Sequence, residues 1–143
     1  MKIRSIALAA TLAAVAAWPS LASAEAASQE SQKITPAFQE AIPNIPGKSL
    51  IGIVVSYPPG GTSPAHYHPH SSFVTGYVLT GSIRSKVNDG KTQVFRAGEH
   101  WTEPPGAHHP ISENASTTEP ASLLAIFVVD TADANRLTTY EQQ

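Results

Sequence analysis

Cysteine is absent from all 143 residues. That removes thiolate metal ligation, cysteine nucleophiles and redox-active disulfides together. Small secreted domains often need disulfide staples, but the roughly 119 residues left after the leader described below can bury a sufficient core without them. A basic run is also lacking. With Lys2 and Arg4 set aside, seven basic side chains remain against eleven acidic ones, a net charge near −4. Nothing in that balance favours nucleic acid or an anionic membrane surface. Helical periodicity is scarce too, with Pro36 to Ala41 as the one short candidate. No internal repeat or low-complexity segment follows the leader, and the length suits one domain.

What is present begins with that leader. Lys2 and Arg4 precede an almost wholly apolar stretch from Ile6 to Trp18. Pro19-Ser20 breaks the run, and Ala22-Ser23-Ala24 has the small-residue pattern of a secretory cleavage site. The stretch is shorter than the roughly 20 residues of a membrane-spanning helix. The sequence therefore predicts a signal peptide over 1–24, an N-terminal extension over 25–41 and a β-domain over 42–143. The mature product is expected to be exported, periplasmic or secreted, with no membrane attachment.

From Leu50 onward, short β-branched runs alternate with Gly/Pro punctuation. Leu50 to Tyr57 ends at Pro58-Pro59-Gly60-Gly61, and Phe73 to Leu79 ends near Gly81. Ile83 to Val87 and Thr92 to Phe95 flank Asn88-Asp89-Gly90-Lys91, a hairpin signal. Ser122 to Val129 is nearly continuous in apolar residues and reads as a buried central strand. The expected fold is all-β, a small sandwich or barrel.

All six histidines lie within 66–109, in the knots His66-Tyr67-His68-Pro69-His70 and His108-His109, with His100 between. Such confinement points to one site, and imidazole is the commonest metal ligand. Side chains alternate faces along a strand, so His66 and His68 point the same way and can chelate one ion. His70 shares that parity but lies beyond Pro69, which disturbs strand pairing. It is a reserve ligand or a rim residue. His108 and His109 face opposite sides, so one of them at most reaches an interior ion, and spacing does not choose between them. Glu103, just before the turn that presents the second knot, is the candidate catalytic acid/base. A fourth ligand could come from His70, Glu103 or His100. Tyr67 should point away from the metal, whereas Trp101, Phe73 and Tyr77 are candidates for core packing or pocket lining. Arg84 would meet an anionic substrate if it faced inward. Asn114-Ala115-Ser116 fits a glycosylation sequon.

These residues resemble the cupin superfamily. Gly60-x5-His66-x-His68 followed by Tyr77-Val78-Leu79-Thr80-Gly81 looks like its first motif. Gly98-x5-Pro104-x-Gly106-x2-His109, with Asn114 soon after, looks like its second. Ile42-Pro43-Asn44-Ile45-Pro46-Gly47-Lys48 resembles the lead-in of small single-domain members, and the likeness runs from about Ile42 to Asp130. The resemblance implies a jelly-roll barrel, pairing of copies into a homodimer through edge strands, and a divalent ion near one mouth. It maps the ligands to His66, His68 and His109. The family's glutamate has no counterpart, because its place falls at Val74, or at Ser72 or Phe73 when counted from His68.

Three neutral imidazoles leave an ion its double charge and open positions for water or substrate. Such a site suits Zn, Cu, Fe or Ni, with Mn favoured where carboxylates join. It should attract small oxygen-rich anions such as carboxylates, enolates or phenolates. Three functions are therefore expected: a dioxygenase-type oxidoreductase, a non-catalytic periplasmic module holding a small molecule or the metal itself, or a metal-free isomerase or epimerase with a histidine base.

Overall fold

The computed structural model describes residues 31–141, so the leader and the first residues after it lie outside the described part. The described residues form eleven strands: β1 (Lys33–Ala41), β2 (Lys48–Tyr57), β3 (His66–Tyr67), β4 (Phe73–Thr80), β5 (Ser82–Lys86), β6 (Gln93–Arg96), β7 (His100–Glu103), β8 (His108–His109), β9 (Ile111–Asn114), β10 (Ala121–Asp130) and β11 (Thr139–Tyr140). A single 3₁₀ turn, Thr131–Asp133, follows β10. No α-helix occurs among the described residues, and none is long and apolar enough to cross a membrane.

One sheet has the order β1-β2-β10-β4-β7, and two three-stranded sheets have the orders β11-β3-β8 and β6-β5-β9. Every strand pairing among the described residues is antiparallel. The architecture is the expected all-β jelly-roll barrel. It arises from alternation along the strands of the large sheet. Ile51 and Tyr57 of β2, Val74 and Val78 of β4, and Leu123, Phe127 and Val129 of β10 are buried and face the smaller sheets. Their neighbours turn outward, which leaves Phe73, Tyr77 and Leu79 exposed on the other face of β4. Phe73 and Tyr77 therefore neither pack in the core nor line the cavity described below, in contrast to both roles considered for them.

The interior has two apolar clusters. Tyr57, Val78, Ile83, Trp101, Ala121 and Leu123 form one. Ile51, Val74, Phe127, Val129 and Ala134 form the other. Glycine at 76 is required by the first. A Cβ there would strike the indole of Trp101, its partner across the β4–β7 pairing.

The segment from Pro36 to Ala41 is not helical. It belongs to β1, an exposed edge strand antiparallel to β2, with its register shifting between Pro36 and Phe38. Proline has no N–H to donate, and an edge strand with an irregularity accommodates it. Much of the segment read as an extension is thus part of the large sheet.

Candidate metal centre

The two histidine knots meet because β3 and β8 pair, with His66 directly opposite His109. His68 lies one residue beyond β3, and its N–H donates to the Ala107 carbonyl at 3.0 Å. The rings of His66 and His68 are 4.9 Å apart, those of His66 and His109 5.2 Å, and those of His68 and His109 6.4 Å. Each of the three residues is buried, and one ligand atom from each lies within 4.8 Å of the others. Of the pair at 108–109, the second faces inward. His108 is half-buried, stacks on Tyr67 at 4.5 Å and places Nε2 2.8 Å from Glu141.

The three imidazoles are oriented from behind. His66 Nδ1 donates to the Pro64 carbonyl at 2.8 Å, and His68 Nδ1 donates to the Leu137 carbonyl at 2.7 Å. A carbonyl only accepts, so each Nδ1 carries a proton, and in the neutral ring the lone pair is on Nε2. His109 Nε2 is 2.9 Å from the Ser85 hydroxyl. Metal-binding histidines are characteristically fixed through the other ring nitrogen in this way. Burial pushes the His109 imidazole down to about 4 against the opposing pull of the Glu103 carboxylate. Burial also lowers His66, partly offset by its bond to Pro64. Both rings are therefore held neutral near pH 7, the form that binds metal.

Glu103 joins them from β7. It is 2% exposed, and Trp101 Nε1 donates to its Oε1 at 3.0 Å. Oε1 is 3.2 Å from His109 Nδ1, and Oε2 is 3.1 Å from His68 Nε2. Burial alone would raise its pKa, but the His68 and His109 imidazoles and the indole N–H outweigh burial and hold the carboxyl below its usual range. Oε2 is buried without a hydrogen-bond partner among the described residues. A donor set of three imidazoles beside an orphaned carboxylate oxygen fits a divalent cation.

The other histidines stand apart. His70 packs against Gly106 and lines a separate shallow depression with Asp130, Asp133 and Arg136. His100 is exposed and pairs with Tyr77, on the face of the sheet opposite Glu103. Tyr67 points outward as its parity requires. Arg84 is held by Glu113 across β5–β9, away from the cluster. Asn114 is buried, and its amide donates to the Pro58 and Glu119 carbonyls at 3.0 and 2.7 Å.

The cluster forms part of the wall of a cavity of about 160 Å³. Ile53, Val55, Val74, Leu123, Phe127 and Leu137 make much of the remaining wall apolar. Tyr57 adds a polar spot, its hydroxyl lying 2.6 Å from Ser63 and 2.8 Å from Ser112. No lysine or arginine lines the cavity among the described residues. Sequence reasoning missed Ser85, Ser112 and the Leu137 carbonyl. Parity with Ile83 could have placed Ser85 inward, whereas a main-chain carbonyl from a distant segment leaves no sequence signal.

With fold and site in place, comparison with known proteins settles the class. The family described as Cupin domain matches residues 53–127, and the chain belongs to it. Among curated relatives, Germin-like protein subfamily 2 member 2 of Arabidopsis thaliana is 33% identical over 98 residues, covering 66% of this chain and 43% of the relative. Oxalate oxidase GF-3.8 of Triticum aestivum is 34% identical over 91 residues, covering 57% and 40%. The chain thus spans less than half the length of these relatives. A double-stranded β-helix domain protein of Klebsiella pneumoniae superposes with a TM-score of 0.61 at 17% identity, over 81% of this chain and 88% of that one. That likeness concerns the fold alone.

Proposed function

We propose that this cupin holds a divalent transition metal (Fe, Mn, Cu, Ni or Zn) through His66, His68 and His109, and acts as a dioxygenase-type oxidoreductase on a small oxygen-rich anion. The observation that carries the reading is the convergence of three buried imidazoles beside a cavity, two of them fixed by Nδ1 bonds to main-chain carbonyls and the third held between Ser85 and Glu103. The relation to a protein named oxalate oxidase supports the oxidoreductase class. Bound there, the ion would supply Lewis acidity and, if redox-active, an electron path to dioxygen.

The chain's own residues do the rest. Pro64, Leu137 and Ser85 hold the imidazoles in place, so ligation costs little reorganisation. Ile53, Val55, Leu123 and Phe127 make the cavity wall around them apolar and unfavourable to water. The Tyr57 hydroxyl offers a hydrogen bond to a polar end of the ligand. Because the lining has no cationic side chain among the described residues, an apolar-bodied monoanion such as a phenolate or enolate suits it better than a dicarboxylate. A metal-free isomerase would need an acid partner on His66, and that ring instead donates to the Pro64 carbonyl.

Export belongs to the same proposal and rests on the leader pattern of residues 1–24. A homodimer belongs to it as well, supported by the exposed Phe73, Tyr77 and Leu79 of β4.

Oxygen uptake tests the activity. Iron- or manganese-loaded protein should consume dioxygen with a catechol, β-diketone or flavonol, and faster than with oxalate. Tight binding of these compounds with no uptake under any metal would overturn the enzyme reading in favour of a binding module.

A further inference from the structure

Counted back from Gly81 rather than forward from His68, the place of the family's glutamate falls at Val74 on β4, and the centre lacks that ligand. Val74 is 1% exposed and faces inward. Its partner across the β4–β7 pairing is Glu103. Directly opposed residues in an antiparallel pair share a face, with Cβ atoms about 4.5–5.5 Å apart. A carboxylate at 103 therefore starts one strand away from where the family places it, and enters the same interior.

The local chemistry shows what it meets there. His68 has one N–H when neutral, and that proton is engaged by the Leu137 carbonyl. Its Nε2 lies 3.1 Å from Glu103 Oε2. Oε1 is positioned by the Trp101 indole, while Oε2 has no hydrogen-bond partner among the described residues. A carboxylate buried this deeply costs several kcal/mol unless a cation or a set of donors compensates it. The indole N–H and His109 Nδ1, at 3.0 and 3.2 Å, both meet Oε1 and leave Oε2 uncompensated. A cation shared by Oε2 and the His68 lone pair satisfies both.

We propose that Glu103 is a ligand of the metal centre, supplying across the β4–β7 pairing the carboxylate that residue 74 does not. This rests on the metal-centre reading above. In this role Glu103 is not free to serve as the acid/base suggested by its place before the turn. One anionic ligand also lowers the centre's net charge from +2 to +1. That further disfavours dianions and shifts the donor set toward Mn and Fe, which accept oxygen ligands readily.

The test moves the carboxylate rather than only removing it. Mn(II) and Fe(II) affinities are measured by competition with a chelator for wild type, H66A/H68A, E103Q, E103V and the exchange variant V74E/E103V, with thermal melts confirming that each is folded. Loss of a ligand should weaken binding by at least ~10-fold, the lower end of the effect of losing even an outer-sphere partner. E103Q and E103V should show that loss, and V74E/E103V should recover most of it. The Mn(II) electron paramagnetic resonance spectrum should change in E103Q and return toward wild type in the exchange variant.

If wild type and H66A/H68A both bind nothing, the metal-centre reading fails and this inference with it. If wild type binds, H66A/H68A does not, and E103Q and E103V bind as tightly as wild type, the metal centre stands and the assignment of Glu103 is overturned. A folded exchange variant that recovers nothing, beside a weakened E103V, likewise overturns ligation in favour of a purely positioning role.

Discussion

Two buried regions meet at Trp101, and they are held by different physics. On one side, Tyr57, Val78, Ile83, Ala121 and Leu123 surround the indole in an apolar cluster. On the other, the indole N–H bonds to Glu103, and beyond it stand His68 and His109. The first region is satisfied by burial alone, because removing its surface from water stabilises it at roughly 25 cal/mol per Å². The second gains little from burial, since neutral imidazoles and an orphaned carboxylate oxygen lose their water without complete replacement. The difference teaches that this barrel stands on its apolar half, while its polar half presents the donor set that the proposed cation would complete. Stability and metal content should therefore break separately.

The largest separate effect is expected at Ile83, which is fully buried in the apolar cluster. Ile83→Ala should lower the free energy of unfolding by about 2–5 kcal/mol, read from the denaturant midpoint of chelated protein. The folded fraction should keep wild-type metal stoichiometry. Loss of metal without loss of stability would place the residue on the wrong side of the comparison. Trp101→Phe sharpens the boundary, because it keeps most of the apolar bulk and deletes the donor to Oε1. A hydrogen bond to a charged group contributes about 1.5–3 kcal/mol, so a destabilisation of that size should be joined by weaker metal binding. If the two quantities do not move together, the indole does not couple the regions.

A smaller effect is expected at Tyr57, whose phenol is raised above its ordinary value of 10.0 chiefly by burial, against the opposing bonds to Ser112 and Ser63. Above pH 10 the unfolded chain releases this proton while the folded chain retains it. The raised folded pKa therefore contributes stability that is present below pH 10 and lost as pH rises through the folded value. Urea titrations should show wild-type stability falling on the alkaline side. Tyr57→Phe should flatten that slope while costing about 1 kcal/mol at neutral pH. An unchanged slope in the variant would assign the alkaline loss to other groups.

Much of the apolar half was legible in the sequence. Leu50 to Tyr57, Phe73 to Leu79 and Ser122 to Val129 all lie within observed strands, because β-branched alternation and Gly/Pro punctuation are local signals. β1 escaped detection. Pro36 and the flanking polar residues obscure the period of an edge strand that is exposed throughout. In the polar half, strand parity brought His66 and His68 together, and the family resemblance selected His109 over His108. The place of Glu103 needed the β4–β7 register, which pairs it with Val74. Ser85 and the Leu137 carbonyl depend on segments distant in sequence, so local pattern could not assign them.

Metal content, measured together with thermal stability, tests the central claim most directly. Wild-type protein should carry about one transition-metal ion per chain. Chelation should lower its melting temperature, because an ion that binds only the folded state stabilises by about 2.7 kcal/mol at 100 times its dissociation constant. His66→Ala/His68→Ala should carry almost none and melt at a temperature indifferent to chelator. Equal metal content in the two proteins, or none in either after reconstitution with Fe, Mn, Cu, Ni and Zn in turn, would contradict the account.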